Sequence, residues 1–376
     1  MMTGFATAEG TARYRNRFPE LNRAGHFRQP ARVLGASELW LSSLGLGTYL
    51  GETDDSADSA YAEAIMQALR SGVNVLDTAI NYRHQRSERN IGSALEQMIT
   101  GGGLQRDEVL VCTKAGYLCF DGDAPNDPRG YFIDEYINKG IMRPTEIAAG
   151  MHCMAPAYLE NQLERSRANL RLETIDVFYL HNPESQRGAG VSATDFRHRL
   201  REAFAALEKA VKAGKICFYG CATWNAFRLP NTQREALSLQ DVVAVAREVA
   251  GDGHHFRFVQ LPFNLAMPEA FALKNQVSGN ETLSFFEVAE RAGVAVIGSA
   301  TLYQGRLTQG LPETIRRKLG TTSDTESAIQ FARSAPGIAT ALIGMGRKEH
   351  VATNLAVVSQ PLVLREQWES LFQQVA

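Results

Sequence analysis

The sequence predicts an α/β protein, a (β/α)8 (TIM) barrel with an N-terminal β-hairpin and long loops on the C-terminal face. Eight short apolar runs, typical of buried parallel strands, alternate with eight segments of helical periodicity. The connections between them are mostly short. A doubly wound dinucleotide-binding fold would need a G-x-G-x-x-G between its first strand and first helix, and no such motif lies there. These observations favour the barrel.

The N-terminal residues stand apart from this alternation. Residues 1–30 show no hydrophobic periodicity and are interpreted as an N-terminal arm. Residues 31–41 contain two apolar stretches around a glycine-containing turn, which predicts the β-hairpin. We therefore expect an arm over residues 1–30 and a single barrel domain over residues 31–376.

From residue 41 onward each predicted strand is followed by a helix. The segment 88–99 is a good example, because its apolar residues recur at the spacing of one helix face. The predicted strands cover residues 41–48, 74–79, 108–115, 174–181, 215–223, 257–263, 295–302 and 339–345. The predicted helices cover residues 56–71, 88–99, 156–170, 194–213, 239–250, 283–292, 326–334 and 348–358.

Composition excludes several classes of function. There are 39 Lys and Arg residues against 41 Asp and Glu residues, so the chain has no basic excess with which to bind nucleic acid or an anionic membrane. The five cysteines show no pattern of a metal site. The N-terminus lacks the apolar segment of a signal peptide, and no apolar run is long enough to span a bilayer. We expect a cytoplasmic protein that acts on a small molecule and holds no metal.

Two segments are longer than a barrel requires. Residues 117–155 follow the third strand and are rich in glycine, proline and aromatic residues, and residues 225–238 follow the fifth. Such loops lie on the face where barrel enzymes place their sites, so we expect the long insertion to reach the substrate region. Surface packing or oligomerisation is the alternative role. The predicted pocket walls are Tyr49, Phe120, Tyr131 and Trp224.

Four ionisable side chains occupy consecutive strand ends on that face. Asp77 ends the second strand and Tyr82 follows it, while Lys114 and His181 end the third and fourth strands. A tyrosine hydroxyl has a pKa of about 10, which a neighbouring ammonium group lowers. A carboxylate keeps that ammonium charged, and a histidine can orient a carbonyl oxygen. Because the set contains no nucleophile or metal, it suits hydride addition to a C=O group.

The segment after the second strand resembles a family motif. Asp77-Thr-Ala-Ile-Asn-Tyr82, followed by Ser87-Glu88 and Ile91-Gly92, is similar to the D-T-A-x-x-Y … S-E-x-x-I-G segment of aldo-keto reductases. Leu44-Gly-Leu-Gly-Thr48 and the strand-end lysine and histidine fit the same family, and the resemblance extends over nearly the whole chain from about residue 31. It implies a catalytic tetrad with a tyrosine as general acid. The implied tetrad is Asp77, Tyr82, Lys114 and His181.

The same resemblance implies NADPH, or less often NADH, bound extended without a Rossmann domain. Gln260 would bind the nicotinamide amide and Phe263 would stack on the nicotinamide ring. At the fifth strand Ala222 stands where the family has serine, so Thr223 is the remaining polar candidate there. The implied cofactor-binding residues are Gly47, Thr48, Thr223, Gln260, Phe263, Ser299, Leu302, Gln304, Gly305, Gly344, Met345, Arg347, His350 and Asn354.

The loops after the seventh and eighth strands support this reading independently. They lead into a helix N-terminus, which is the usual anion site of such barrels. Arg347 and Lys348 lie where a 2′-phosphate would need a cation, which favours NADPH over NADH. Two solvated surface cations are the alternative explanation.

The leading hypothesis is an NADPH-dependent reductase of aldehydes or ketones, which in reverse is an alcohol dehydrogenase. The alternative is a catalytically weak NADPH-binding regulatory or scaffolding subunit on the same fold. A Schiff-base mechanism at Lys114 is disfavoured, because Asp77 on the adjacent strand would hold the lysine protonated.

Overall fold

The computed structural model describes residues 1–30 and 32–373 and confirms the predicted barrel. Eight parallel strands close on themselves, and each strand pairs with its neighbours in the sequence. They are β1 Leu44–Gly47, β2 Val75–Asp77, β3 Leu110–Ala115, β4 Ile175–His181, β5 Ile216–Ala222, β6 Phe256–Pro262, β7 Ala295–Ser299 and β8 Ile338–Gly344. Closure occurs between β8 and β1, where Ala341 pairs with Leu44 and Gly344 with Gly47.

A helix follows each strand and covers the outside of the sheet. These helices are α1 Asp55–Arg70, α2 Arg86–Thr100, α3 Pro156–Leu170, α4 Ala193–Lys212, α5 Leu239–Ala250, α6 Phe285–Ala292, α7 Asp324–Ser334 and α8 Lys348–Leu355. Local chemistry sets several of their ends. The Asp54 side chain accepts from the Ala57 amide to cap α1, and α6 has a capping box made by Ser284 and Glu287 and ends at Gly293 with φ of +65°.

Further short elements decorate the barrel. The short helices are Ala8–Asn16, Pro19–Arg23, Pro128–Phe132, Glu184–Gly188, Glu269–Ala272, Glu313–Leu319 and Arg365–Glu369. The short strands are Phe27–Arg28, Leu41–Ser42, Ile147–Ala148, His152–Cys153, Lys274–Ser278 and Glu281–Ser284. In the described part of the chain, no helix combines the length and the apolar character that crossing a membrane requires.

The predicted N-terminal hairpin is present, but its strands differ from the expected ones. Phe27–Arg28 pairs antiparallel with Leu41–Ser42, and Ala31 at the start of the predicted hairpin lies outside the described residues. The apolar residues Val33, Ala36 and Leu39 are not strand residues. They are buried with the side chains that fill the barrel interior. These three residues are therefore apolar because they close the bottom of the barrel, and not because they form a strand.

The predicted arm contains structure that hydrophobic periodicity did not reveal. Two helices form within residues 1–30 and pack on the barrel. Tyr14 is fully buried, and its hydroxyl lies 2.6 Å from the Leu69 carbonyl oxygen. Arg13 Nε lies 2.9 Å from a Glu108 carboxylate oxygen. One aromatic side chain and an ion pair anchor the first helix, so no apolar stripe marks it in the sequence.

The insertion 117–155 packs beside the barrel mouth around its own small apolar core. Tyr136 and Tyr158 are buried in it together with Leu118, Met142 and Cys153. Two rings predicted as pocket walls belong to this lobe instead. Phe120 stacks on Phe132 with ring centroids 4.8 Å apart, and Tyr131 lies 5.5 Å from Phe120. The prediction of Phe120 and Tyr131 as pocket walls was wrong, because these half-buried rings pack against aromatic neighbours within the insertion.

We predict that His26 makes the stability of the fold depend on pH. The imidazole is fully buried between the Ser43 hydroxyl and the Gly72 carbonyl oxygen, and burial lowers the pKa of His26 to about 3. The unfolded chain binds a proton at this residue below about pH 6.5, whereas the folded chain does not until about pH 3. This contribution to stability is therefore lost as the pH falls through that window, by about 2 kcal/mol between pH 6.5 and 4.5.

Urea denaturation at several pH values tests this expectation against His26→Gln, which removes the titrating group. The free energy of unfolding of the variant should decline less than that of the wild type between pH 6.5 and 4.5. His198→Gln is the control, because His198 is exposed. Equal slopes for the wild type and His26→Gln would contradict the prediction.

Candidate active site

A cavity of about 1300 Å³ opens at the C-terminal ends of the barrel strands. Its walls come from the loops that follow the strands, as expected for a parallel barrel. Of the four predicted catalytic side chains, Asp77, Tyr82 and His181 line the cavity, and Lys114 lies fully buried directly behind Asp77. The fold therefore brings all four groups to one region.

Asp77 and Lys114 form a buried ion pair at the base of the cavity. The Lys114 ammonium donates to Asp77 Oδ1 at 2.6 Å and to the Thr78 carbonyl oxygen at 2.7 Å. The second carboxylate oxygen of Asp77 accepts from Gln260 Nε2 at 2.7 Å. Because Gln260 lies on β6, this bond spans the interior of the barrel from β2. Gln260 also lines the cavity, where the sequence analysis expected it to meet the cofactor.

Tyr82 begins a short turn after β2 that brings its ring over the lysine. Lys114 Nζ lies 4.9 Å from the centroid of the Tyr82 ring. The three following residues, Arg83, His84 and Gln85, have φ of 48°, 53° and 74°, a left-handed conformation that is uncommon outside glycine. Such a turn persists only where its surroundings hold it in place.

Contacts from two other parts of the chain hold this turn. Arg83 Nε donates to the Glu52 carbonyl oxygen at 2.6 Å, and its Nη2 donates to Asp58 on α1 at 2.7 Å. Gln85 Nε2 donates to the Phe120 carbonyl oxygen at 2.9 Å. The position of Tyr82 is therefore determined by the loop after β1, by α1 and by the insertion.

His181 ends β4 and lies between two tyrosine rings. Its ring centroid is 5.7 Å from that of Tyr82 and 5.1 Å from that of Tyr117. Its Nδ1 atom is buried and has no hydrogen-bond partner among the described residues. Burial lowers the pKa of His181 well below its usual value, and the positive charge of Lys114 lowers it further, so the imidazole is neutral.

The electrostatics of Tyr82 differ from the expectation. From the sequence, Lys114 was expected to lower the pKa of the tyrosine. Burial instead raises the pKa of the Tyr82 hydroxyl, and Lys114 offsets only part of that rise. Burial lowers the pKa of Lys114, but attraction to Asp77 outweighs this and leaves that pKa raised. The Tyr82 hydroxyl therefore keeps its proton at neutral pH, and the Lys114 ammonium group beside it stays charged. A charged lysine cannot act as a Schiff-base nucleophile.

Most of the predicted cofactor residues do line the cavity. Twelve of the fourteen are found there: Gly47, Thr48, Thr223, Gln260, Ser299, Leu302, Gln304, Gly305, Gly344, Arg347, His350 and Asn354. Two are not. The Met345 side chain is fully buried in the hydrophobic core. Met345 was predicted to bind the cofactor, and its side chain does not line the cavity.

Phe263 was predicted to stack on a nicotinamide ring, and this prediction was wrong. Its ring is fully buried among core aromatics, 4.9 Å from Phe286 and 5.4 Å from Phe331. Side chains alternate between the two sides of a strand, and this one points outward toward the helices. No aromatic residue of β6 or β7 lines the cavity in the described part of the chain.

The two neighbouring cations at the start of α8 have different surroundings. Arg347 is exposed, lines the cavity and forms no ion pair with any described residue. Lys348 does not line the cavity, and its Nζ atom lies 3.3 Å from the Glu63 carboxylate on α1. Among the described residues, Arg347 is therefore the one Lys or Arg side chain that faces the cavity at this helix N-terminus.

Several lining residues were not identified from the sequence. Tyr49 and Trp224 line the cavity as predicted, and Tyr117 and Asn182 line it without having been predicted. The sequence could have identified both residues, since Tyr117 closely follows the strand-end residue Lys114 and Asn182 directly follows the strand-end residue His181. The cavity is therefore bordered by aromatic rings and, next to His181, by the Asn182 amide.

Glu184 is a further buried group that the sequence analysis missed. Its carboxylate accepts from the Trp224 amide at 2.6 Å and from the Asn225 amide at 3.0 Å. Burial raises the pKa of Glu184, which these amide hydrogen bonds oppose. The contact joins the loop after β4 to the loop after β5 and so positions Trp224 at the cavity rim. Among residues 1–30 and 32–373, no group of three or more His, Cys, Asp or Glu side chains is arranged to hold a metal ion.

The chain is similar to proteins of one known family. The model of the aldo/keto reductase family matches residues 43–371. Among curated proteins, the uncharacterized oxidoreductase YqkF of Bacillus subtilis is 26% identical over 215 residues, 57% of this chain and 54% of that protein. The NADH-specific methylglyoxal reductase of Escherichia coli is 24% identical over 51% of this chain and 52% of its own length. The chain thus spans about half the length of these relatives.

One further relative is named as a channel subunit and not as an oxidoreductase. A candidate voltage-gated potassium channel subunit beta of Schizosaccharomyces pombe is 22% identical over 218 residues, 58% of this chain and 52% of that protein. Its similarity to this chain is of the same order as that of the oxidoreductases.

Solved structures agree on the fold. The holo form of an aldo-keto reductase from Bacillus halodurans superposes with a TM-score of 0.62 at 19% identity, covering 93% of this chain and 97% of that one. An aldo/keto reductase from Klebsiella pneumoniae in complex with NADP and acetate superposes with a TM-score of 0.59 at 20% identity, covering 89% and 91%.

We predict that Lys114→Met lowers the free energy of unfolding by about 3 kcal/mol, because the Asp77 carboxylate would stay buried without its cation. Urea denaturation measures the change. The double variant Lys114→Met/Asp77→Leu should be more stable than Lys114→Met, since it removes the uncompensated charge. Lys209→Met, at an exposed pair with Glu160, is the control and should change stability by less than about 1 kcal/mol. A single variant as stable as the wild type would refute this account of the pair.

Proposed function

The chain belongs to the aldo/keto reductase family, and on this premise we propose that it is an NADPH-dependent oxidoreductase that reduces an aldehyde or ketone to an alcohol. The observation that carries the proposal is the arrangement of the tetrad. A charged Lys114 is bonded to Asp77 at 2.6 Å and lies 4.9 Å from the Tyr82 ring, with the His181 ring beside it. This arrangement places a proton donor and a hydrogen-bonding site for a carbonyl oxygen in one wall of the cavity.

The cavity suits an extended dinucleotide. It runs from the tetrad past the ends of β7 and β8 to the N-terminus of α8, and its volume of about 1300 Å³ exceeds the range of an ordinary small-molecule pocket. Thr301 lines it with a buried hydroxyl that has no partner among the described residues. Gln260 and Thr223 would face the nicotinamide end, and Arg347, His350 and Asn354 the adenosine end. When bound, NADPH supplies the hydride that adds to the carbonyl carbon.

Each catalytic side chain has a separate task. Tyr82 donates its proton to the carbonyl oxygen as negative charge develops there. Lys114 stabilises the resulting phenolate, and Asp77 keeps the lysine charged and in place. The neutral imidazole of His181 orients the carbonyl oxygen by hydrogen bonding. Tyr49, Tyr117 and Trp224 border the place that the substrate would occupy.

The second candidate is a catalytically weak NADPH-binding regulatory or scaffolding subunit. The similarity to a protein named as a candidate channel subunit beta favours it, as does Ala222, which offers no side-chain hydroxyl to the cofactor at the end of β5. Oxidation of NADPH with a panel of simple aldehydes separates the two. Tight cofactor binding without oxidation on any of them would support the subunit.

We predict that Tyr82→Phe lowers kcat for aldehyde reduction by about a hundredfold to ten-thousandfold, the usual effect of removing a general acid. NADPH affinity, measured by fluorescence titration, should change little because the phenyl ring keeps its packing. Tyr131→Phe is the matched control, since the Tyr131 hydroxyl belongs to the insertion and does not line the cavity. Full activity of Tyr82→Phe would refute the role of the hydroxyl.

We predict that Arg347→Ala weakens NADPH binding about tenfold or more and leaves NADH binding nearly unchanged, because a charged hydrogen bond to the 2′-phosphate is lost. Fluorescence titration with both cofactors measures this difference. The matched control is Lys348→Ala, which removes the adjacent cation that contacts Glu63 outside the cavity. Equal NADPH and NADH affinities in the wild type would contradict the preference.

A further inference from the structure

The insertion 117–155 ends by pairing with the residues that directly follow β3. The Leu118 amide donates to the Met151 carbonyl oxygen at 2.8 Å, and the Cys153 amide donates to the Gly116 carbonyl oxygen at 2.8 Å. His152 thereby becomes the partner of Tyr117 in a short antiparallel bridge. The insertion thus returns to the tetrad and places a second, buried histidine beside His181.

The hydrogen bonds of His152 determine which ring nitrogen carries its proton. Arg199, which can only donate, bonds to Gln186 Oε1, so the Gln186 amide nitrogen is the donor on its other side. That nitrogen lies 2.9 Å from His152 Nδ1, which must accept. Burial lowers the pKa of His152 to about 4, so the ring is neutral and its proton is on Nε2. The Nε2–H group donates to the carbonyl oxygen of His181 at 2.7 Å.

The main chain around this contact leaves room for it. A Cβ atom on Gly116 would lie 2.7 Å from the His181 carbonyl oxygen and 2.8 Å from His152 Nε2, so the glycine leaves room for the bond. The residue after His181, Asn182, has φ of +47°, and its amide donates to the Ala222 carbonyl oxygen at 2.6 Å. The peptide that links His181 to Asn182 is therefore held on both sides.

The same histidine also orients Tyr117. The Tyr117 ring stands perpendicular to both imidazoles, 5.1 Å from each centroid. Its hydroxyl accepts from Asn182 Nδ2 at 3.1 Å and lies 3.1 Å from the Ser185 hydroxyl. Because Tyr117 and Asn182 line the cavity, displacement of His152 would move two groups that border the substrate as well as the His181 main chain.

We propose that His152 is a positioning residue for the reaction: its Nε2–H bond to the main chain of His181, together with its contact to Tyr117, fixes the wall that orients the carbonyl substrate. This inference rests on the proposed reductase function. It assigns the insertion a role, which is to deliver His152 to the back of the active site. The cofactor end of the cavity, formed by the loops after β7 and β8, is remote from this network.

Two substitutions of the same residue test the proposal. His152→Phe keeps a ring against Tyr117 but removes the N–H donor and the acceptor. His152→Gln retains an amide N–H for the His181 carbonyl oxygen and an amide oxygen for Gln186. Using NADPH and an aldehyde that the wild type reduces, we expect kcat/KM for the aldehyde to fall about tenfold to a hundredfold in His152→Phe and to recover in His152→Gln. NADPH affinity by fluorescence should stay within about twofold in both, and His198→Ala, at an exposed histidine, is the control.

The outcomes separate this inference from the function on which it rests. An active wild type with unchanged kcat/KM in His152→Phe would overturn the inference alone. So would an equal loss in His152→Phe and His152→Gln. If the wild type binds NADPH but reduces no aldehyde, the proposed function fails and the inference fails with it. If His152→Phe is misfolded and does not bind NADPH, the variant Gln186→Met tests the proposal instead. It removes the donor to His152 Nδ1, and kcat/KM is expected to fall at unchanged NADPH affinity, whereas unchanged kcat/KM would overturn the inference.

Discussion

The ion pair between Lys114 and Asp77 is the constraint on which the rest of the site depends. Both charges are removed from water, and only the partner charge and pre-placed hydrogen bonds compensate for the loss of hydration. Lys114 also donates to the Thr78 carbonyl oxygen, and Gln260 donates to the second oxygen of Asp77. These groups come from β2, β3 and β6, so the barrel must close for the pair to be satisfied. Closure in turn holds a permanent cation beside the Tyr82 ring.

The support of this site is distributed over segments far apart in the chain. Three consecutive left-handed residues follow Tyr82, and a conformation of this kind costs about 1–3 kcal/mol at each position. Arg83 is held by the loop after β1 and by Asp58, and Gln85 by the main chain of the insertion. On the other side, His152 holds the main chain of His181. The insertion thus braces both sides of the tetrad, although of its residues only Tyr117 lines the cavity.

Features set by interactions between residues close in the sequence were predicted correctly, and features set by contacts between distant segments were not. The barrel was predictable because local periodicity and burial on both faces of parallel strands leave a direct trace in the residues. Helices 156–170 and 239–250 were predicted with the bounds that the structure has. The first N-terminal helix was missed, because Tyr14 and ion pairs anchor it in place of an apolar stripe. The second was missed because it has five residues and none of them is buried. Phe263 was misplaced because an apolar residue at a strand end can face either the cavity or the helices.

The sequence by itself determined the order of the elements and the set of polar groups at the ends of β2, β3 and β4, because both are properties of neighbouring residues. Only the tertiary structure decided which side of β6 the Phe263 ring occupies, that burial outweighs Lys114 in setting the pKa of Tyr82, and that Lys348 contacts Glu63 while Arg347 faces the cavity. It also decided that His152, 29 residues before His181, lies against that residue's carbonyl oxygen. Such contacts depend on packing between distant segments, for which a linear pattern carries no signal.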